Sequence, residues 1–165
     1  MTVDGVLARL AGVPSRRAAF REQRRFGALE GVLESSGHLV LRPGYVEKST
    51  EWPQVERLQV EGDRVVVTAG NEAPRVVELG VASELRGLVD AIRGPLSGDG
   101  AAVRRAFVAT ASGTDAGWVL ALVPREAATA RVLQGVQLEG HGDWVDRLTV
   151  TQANGDEQAM TITPQ

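Results

Sequence analysis

At 165 residues and 17.5 kDa the chain can bury one ordinary core without disulfides or structural metal, whereas two domains of half that size would each be marginal, so residues 1–165 read as a single domain. A net charge of −3 and a pI near 5.5 give no overall field toward nucleic acid or an anionic membrane, and the early run Arg9, Arg16, Arg17, Arg21, Arg24, Arg25 belongs to a chain-wide habit of seventeen Arg against one Lys. The absence of cysteine removes thiol catalysis, disulfides and cysteine-ligated zinc together.

The first segment sets Val3, Val6, Leu7 and Leu10 at helical spacing, with Asp4 near the positive end of the helix and Gly12 and Pro14 to stop it, which predicts a helix over 3–11. The same MTVDGVLARLAG lacks the basic start, long apolar centre and cleavage site of a signal peptide, and no apolar run approaches the roughly 18 residues of a membrane helix. An exported form is therefore expected here as the mature chain, its leader removed.

From Ala18 the pattern turns extended, at about 17–26, 30–42, 44–52, 54–61, 63–69 and 73–80, with breaks at Gly27, Pro43-Gly44, Pro53, Gly62-Asp63 and Gly70-Asn71. RVVVT (64–68) and RVVEL (75–79) are the clearest strands, and connections this short imply antiparallel neighbours. After Val81-Ala82, Ser83 offers an N-cap. Leu85, Leu88, Val89 and Ile92 then follow at i, i+3, i+4 and i+7, and Gly94-Pro95 is expected to end that helix. A second short helix is expected over 100–105. Strands resume at about 106–112, 117–124, 130–140, 143–152 and 157–163, the Asn154-Gly155 pair being a good hairpin signal. About eleven strands in one sheet must curl, close or split, and two apolar helix stripes fit the concave face of a half-closed one. Only seven aromatics serve the whole chain, which leaves room for a cavity under that sheet.

Catalytic chemistry is poorly represented. Lys48-Ser49-Thr50 lacks the glycines of a phosphate loop, since Glu47 precedes the lysine, and no GxSxG is present. Glu139, His141, Asp143 and Asp146 are the one group resembling a metal site, and they read as a hairpin turn whose polar groups face water. His38 reads as a strand residue. Glu78, His38 and Glu47 are the first places to look for a titratable pair, but the expectation is a protein that is not an enzyme and takes no metal or cofactor.

Phe20 and Gln23 in the first strand, then Gly37, Leu39, Arg42 and Pro43, then Pro53, then Leu58, Val60 and Gly62 form an ordered series of short motifs. With Trp118–Pro124 and a final hairpin carrying Gln158 and Thr161, the series resembles the periplasmic outer-membrane lipoprotein carriers, the LolA-like family, over nearly the whole chain. The strand YVEKSTEW is more charged than in that pattern and points to a divergent branch. The resemblance implies an incomplete barrel with a helical lid over a cavity that shelters acyl chains in transit across the periplasm. The implied partners are an acyl-chain lipid or lipoprotein, an inner-membrane exporter as donor and an outer-membrane acceptor. No nucleic acid is expected, and the chain is expected to be a monomer.

The two lines of reasoning meet in one expectation: an α+β fold, mainly antiparallel β, with a curved sheet of about eleven strands as a half-open barrel and short helices as a lid over a hydrophobic cavity. Leu39, Leu41, Val65, Val67, Trp118 and Leu120 on strands are expected to line it. Leu85, Leu88, Val89 and Ile92 are expected to cover it. The resemblance makes Arg42 the lid latch, but Gly37 to Arg42 is one residue shorter than the pattern. Either a bulge absorbs the difference, or Arg42 points away while Leu39 and Leu41 point in. An adaptor with the same fold and a self-filled cavity is the rival function. If the helix stripe is a lid, Leu88→Glu abolishes binding of a fluorescent acyl probe while circular dichroism shows the sheet intact; unchanged binding places the stripe elsewhere.

Overall fold

The computed structural model describes residues 1–13, 15–26, 31–78 and 83–165, with the side chains of 83–88 and 97 left outside that description. Helix α1 (Val3–Ala11) forms where its apolar stripe places it: the Thr2 hydroxyl accepts from the Gly5 N–H at 3.0 Å, and Val6, Leu7 and Leu10 are buried. Six strands follow, β1 (Arg16–Arg25), β2 (Val32–Arg42), β3 (Tyr45–Trp52), β4 (Glu56–Glu61), β5 (Arg64–Ala69) and β6 (Arg75–Glu78). Two helices, α2 (Ser83–Ser97) and α3 (Gly100–Ala106), then lead to β7 (Phe107–Thr114) and β8 (Gly117–Pro124). A short helix α4 (Ala127–Ala130) precedes β9 (Leu133–His141), β10 (Trp144–Gln152) and β11 (Glu157–Pro164). The expected breaks at Pro14, Gly27 and Val81-Ala82 lie outside the described residues.

All eleven strands belong to one antiparallel sheet in the order β6-β5-β4-β3-β2-β1-β11-β10-β9-β8-β7. Neighbours are consecutive in the chain except at the centre, where β1 pairs with β11 from Ala18–Pro164 to Arg25–Glu157. The two ends of the chain thus meet in mid-sheet, and β6 and β7 remain as separate edges. The sheet is curved and unclosed, as the strand count anticipates.

Two local expectations need correction. Gly94-Pro95 does not end α2, which runs on to Ser97 with Pro95 inside it. Ala91, Pro95 and Leu96 are all buried, so packing of this last turn outweighs the roughly 3 kcal/mol that an interior proline costs. The stop comes instead at Gly98, whose φ of +78° closes the helix while the Asp99 N–H reaches back to the Gly94 carbonyl at 2.8 Å. The second miss is α4, which occupies ground expected to begin a strand at 130. Four residues are too few to show a periodic stripe, and only the burial of Thr129 marks the helix as part of the packing.

Gly98 carries a second constraint, because a Cβ there would lie 2.6 Å from Ala11 Cα, where α1 and α2 end side by side. Gly44 has a similar φ of +72° and nothing within 4 Å. Gly44→Ala is expected to cost the conformational strain alone, about 1–2 kcal/mol, and Gly98→Ala about 2–5 kcal/mol because a clash is added. Urea unfolding followed by circular dichroism measures both; equal losses would show that the helix ends separate without cost.

Candidate functional site

Burial alternates along the strands, so register alone assigns the concave face. On β1 the inward residues are Arg16, Ala18, Phe20 and Glu22; on β2 they are Gly37, Leu39 and Leu41. Leu41 pairs with Val46, Val46 with Val60 and Val60 with Val65, which makes an apolar row across four strands. One step along, the row Leu39–Lys48–Leu58–Val67 is interrupted by a charge, and the next is Gly37–Thr50–Glu56–Ala69. Gly37 sits where the β2–β3 register shifts, with its Cα so close to β3 that a Cβ would meet the Ser49 carbonyl oxygen at 1.9 Å.

The concave face is divided into two apolar groups. The larger packs α1, α3 and the end of α2 against β7 to β11, β1 and β2, and contains Leu7, Leu10, Val103, Phe107, Leu120 and Ile162. It is filled by the chain's own side chains: the space between Leu10, Leu41, Leu96, Trp144 and Ile162 is about 10 Å³, room for one water at most. The smaller group is Val60 and Val65 with Leu58, Val67 and, from α2, Val89.

Lys48 stands between them. Its ammonium lies 5.2 Å from the centre of the Phe20 ring and is paired with Glu22 Oε2, while Arg24 Nε donates to Glu22 Oε1 at 2.8 Å. Glu22 is 1% exposed in its side chain and Lys48 17%. Burial pushes the Glu22 carboxyl up, but the charge and hydrogen bond of Lys48, the Arg24 charge and the Gln158 side chain pull harder, and it lies below the usual carboxylate range. Beside this pair an open cleft of about 300 Å³ is lined by Arg24, Leu33, Ser35, Thr50, Pro53, Gln54 and Glu56.

A family profile described as outer membrane lipoprotein carrier protein LolA-like matches residues 1–163. This chain belongs to the LolA-like family. Its fold is similar to a LolA superfamily protein of Nitrosomonas europaea, with a TM-score of 0.53, 11% identity, and coverage of 99% of this chain and 92% of that one. A DUF1329 family protein of Desulfovibrio piger is similar with a TM-score of 0.50, 10% identity, and coverage of 97% and 89%. No curated protein sequence matches the chain significantly.

The structure of this LolA-like chain sorts the residues singled out above. Leu39, Leu41, Trp118 and Leu120 are buried in the large group, and Ile92 packs against it. Val65, Val67 and Val89 meet in the small group. Leu85 and Leu88 fall on α2, and their side chains lie outside the described residues. Arg42 is exposed at the end of β2, its guanidinium 4.3 Å from the centre of the Tyr45 ring, so of the two placements left open it takes the outward one, with Leu39 and Leu41 inward. A bulge is present at Ser36/Gly37, yet it leaves Arg42 outside.

Sequence reasoning missed two inward polar residues on β1. Glu22 is one, and Arg16 is the other: its Nη2 donates to the Leu10 carbonyl at 3.3 Å, its guanidinium lies 5.6 Å from the Trp144 ring centre, and its Nε has no hydrogen-bond partner among the described residues. Burial pulls Arg16 below its ordinary value against the opposing charge of Asp143. Period-two counting from Ala18 and Phe20 could have placed both inward. The candidate catalytic trio is not assembled on the concave face: His38 pairs with Glu51 and Glu47 with Arg57 at 3.3 Å on the opposite face, and Glu78 is exposed on edge strand β6. In the suspected metal turn, His141 Nδ1 meets Asp146 Oδ2 at 2.7 Å and Glu139 faces Arg147 at 3.9 Å; among the described residues no three such ligands converge.

A carboxyl held below its unfolded-state value stabilises the fold above that value, and the contribution is lost as pH falls through the folded value. Wild-type stability is therefore expected to fall below about pH 4.5, the ordinary carboxyl value, partly through Glu22. Glu22→Gln should flatten that acid limb and cost about 1–3 kcal/mol at neutral pH, because the half-buried Lys48 is left without its partner. Urea unfolding across pH checks this, and an unchanged acid limb would assign it to other carboxylates.

Proposed function

We propose that the chain is a periplasmic carrier that takes the acyl chain of a lipoprotein or another lipid and passes it toward the outer membrane. The observation that carries this reading is the second apolar group, Leu58, Val60, Val65 and Val67 under Val89, set apart from the filled core on the same concave face. Family membership supports the lipid-carrier class. Removing an acyl chain from water is favourable by about 0.8 kcal/mol per CH₂ and needs no directional contact, so aliphatic side chains suffice as a lining. The binding set proposed is Val65, Val67 and Val89 with Leu85, Leu88 and Ile92 of α2, and Leu39, Leu41, Trp118 and Leu120 as the packed wall beside it.

Helix α2 is joined to the sheet by Arg93, which donates to the Gly62 carbonyl in the β4–β5 turn and pairs with Asp90 at 3.1 Å. The latch role that resemblance gave to Arg42 is proposed for Arg93, a cation on the lid itself that grips a backbone carbonyl of the sheet. An inner-membrane exporter as donor and an outer-membrane acceptor complete the proposed route, with the carrier acting as a monomer and as a binder of lipid, not an enzyme.

The filled half of the concave face supports the rival reading, an adaptor of the same fold that works by protein contact. One experiment separates the two. Val67→Asp is expected to abolish uptake of a fluorescent fatty-acyl probe with the far-ultraviolet circular dichroism spectrum unchanged. A wild-type protein that ignores the probe would overturn the carrier reading, as would a Val67→Asp variant that binds it equally well.

A further inference from the structure

Edge strand β7 reads FVATASGT, with neither charge nor proline to keep another strand away. Thr114 and Gly117 flank a two-residue turn and are therefore a hydrogen-bonded pair, and such pairs alternate along the β7–β8 ladder with pairs that are not bonded. The N–H and C=O groups of Val108, Thr110 and Ser112 thus point to β8, and those of Phe107, Ala109, Ala111 and Gly113 point to the open side. The Arg125 N–H, which donates to the Ala106 carbonyl at 3.0 Å, keeps the same phase.

Both ends of that open side are closed by the chain itself. The Phe107 N–H donates to the Val103 carbonyl, the Phe107 carbonyl accepts from Arg125 Nε at 3.0 Å, and the Met1 nitrogen donates to the Gly113 carbonyl at 3.0 Å. Between these caps, both backbone groups of Ala109 and both of Ala111 have no hydrogen-bond partner among the described residues. What remains is a slot two rungs long. A long strand laid along it would meet Arg125 at one end and Met1 at the other. An identical slot turned antiparallel about Thr110 fits between the caps: Ala109 meets Ala111 of the copy, Ala111 meets its Ala109, and neither chain needs to pair past its own caps.

We propose that edge strand β7 pairs antiparallel with β7 of a second copy of this chain, about a twofold axis at Thr110, so that the sheet continues from one copy to the next. Thr110 then faces its own counterpart in a non-bonded pair, where Cα atoms lie about 4.5 Å apart and two threonine side chains suit one another. Val108, an exposed apolar residue, faces Ser112 of the copy on the same convex side and is partly covered. Charge agrees with this orientation. Arg105 is exposed near the end of α3 and has no ion-pair partner among the described residues, and it comes beside the turn of the copy that carries Asp115, itself paired with Arg9. A contact of two rungs falls well short of the roughly 1,200 Å² of a stable interface, so the pair is weak, with a Kd on the order of 100 µM. It leaves each concave face to its own chain and parts on dilution, so the single chain remains the unit proposed above to carry lipid.

The chain has no cysteine, so one introduced thiol reports the register. Thr110 and Ser112 are both exposed on the same side of the strand. Thr110→Cys is expected to form a disulfide-linked dimer under mild oxidation at least about tenfold faster than Ser112→Cys, whose two thiols the same axis sets about 13 Å apart. In sedimentation velocity at concentrations spanning that Kd, the wild type should show a mass rising from 17.5 kDa. Thr110→Lys, which sets like charges opposite one another, should stay at 17.5 kDa with an unchanged circular dichroism spectrum. Equal oxidation rates at the two positions, a wild type that stays at 17.5 kDa throughout, or a Thr110→Lys variant that associates as the wild type does overturns the β7 pairing.

Discussion

An eleven-stranded sheet whose first and last strands pair at its middle has two free edges and one long concave face, and that face must be covered or left to water. The constraint is topological before it is chemical. Because β1 and β11 meet at the centre, the only connection that spans the open side is the one from β6 to β7, and it is there that α2 and α3 are inserted. Edge strand β6 is four residues long, exposed throughout, and carries Arg75 and Glu78, a composition that discourages pairing with a second sheet.

The cover is unequal. Helices α1 and α3 and the end of α2 fill the β7–β11 side with Leu10, Val103 and Phe107, and the space left between Leu10, Leu41, Leu96 and Trp144 is about 10 Å³. On the β4–β5 side the group is small, and among the described residues the helix residue packed into it is Val89. Lys48 lies between the two because β3 has a charged residue at an inward position, and its ammonium is tolerable there only through the Glu22 carboxylate and the Phe20 ring. The buried pair is therefore a partition: it bounds the filled core on one side and gives the open cleft a polar floor on the other.

Much of the fold was legible because it depends on local signals. Val3, Val6, Leu7 and Leu10 fixed α1 to the residue, and the glycines at 44, 62, 70, 113, 142 and 155 all adopt positive φ at or beside the breaks that punctuate the strands. What failed were places where packing overrides a local preference. Gly94-Pro95 reads as a stop, but the buried last turn of α2 carries the helix on to Gly98, where the approach of Ala11 demands glycine. The family motifs were legible as an order of weak signals, and the residue-level roles drawn from them were less so, since Arg42 is set by strand parity and a one-residue difference reverses a side chain.

Sequence alone determined the eleven strands, three of the four helices, the antiparallel meander and the family, because turn residues and apolar periodicity act within a few residues of one another. Tertiary structure alone decided which half of the concave face is filled, that Arg42 stacks outward on Tyr45, and that the chain's one lysine is half-buried against Glu22 twenty-six residues away. Those outcomes depend on register between strands and on which helix reaches which row. Neither is written in any single segment, since each is fixed only when distant strands align and their inward side chains compete for the same space.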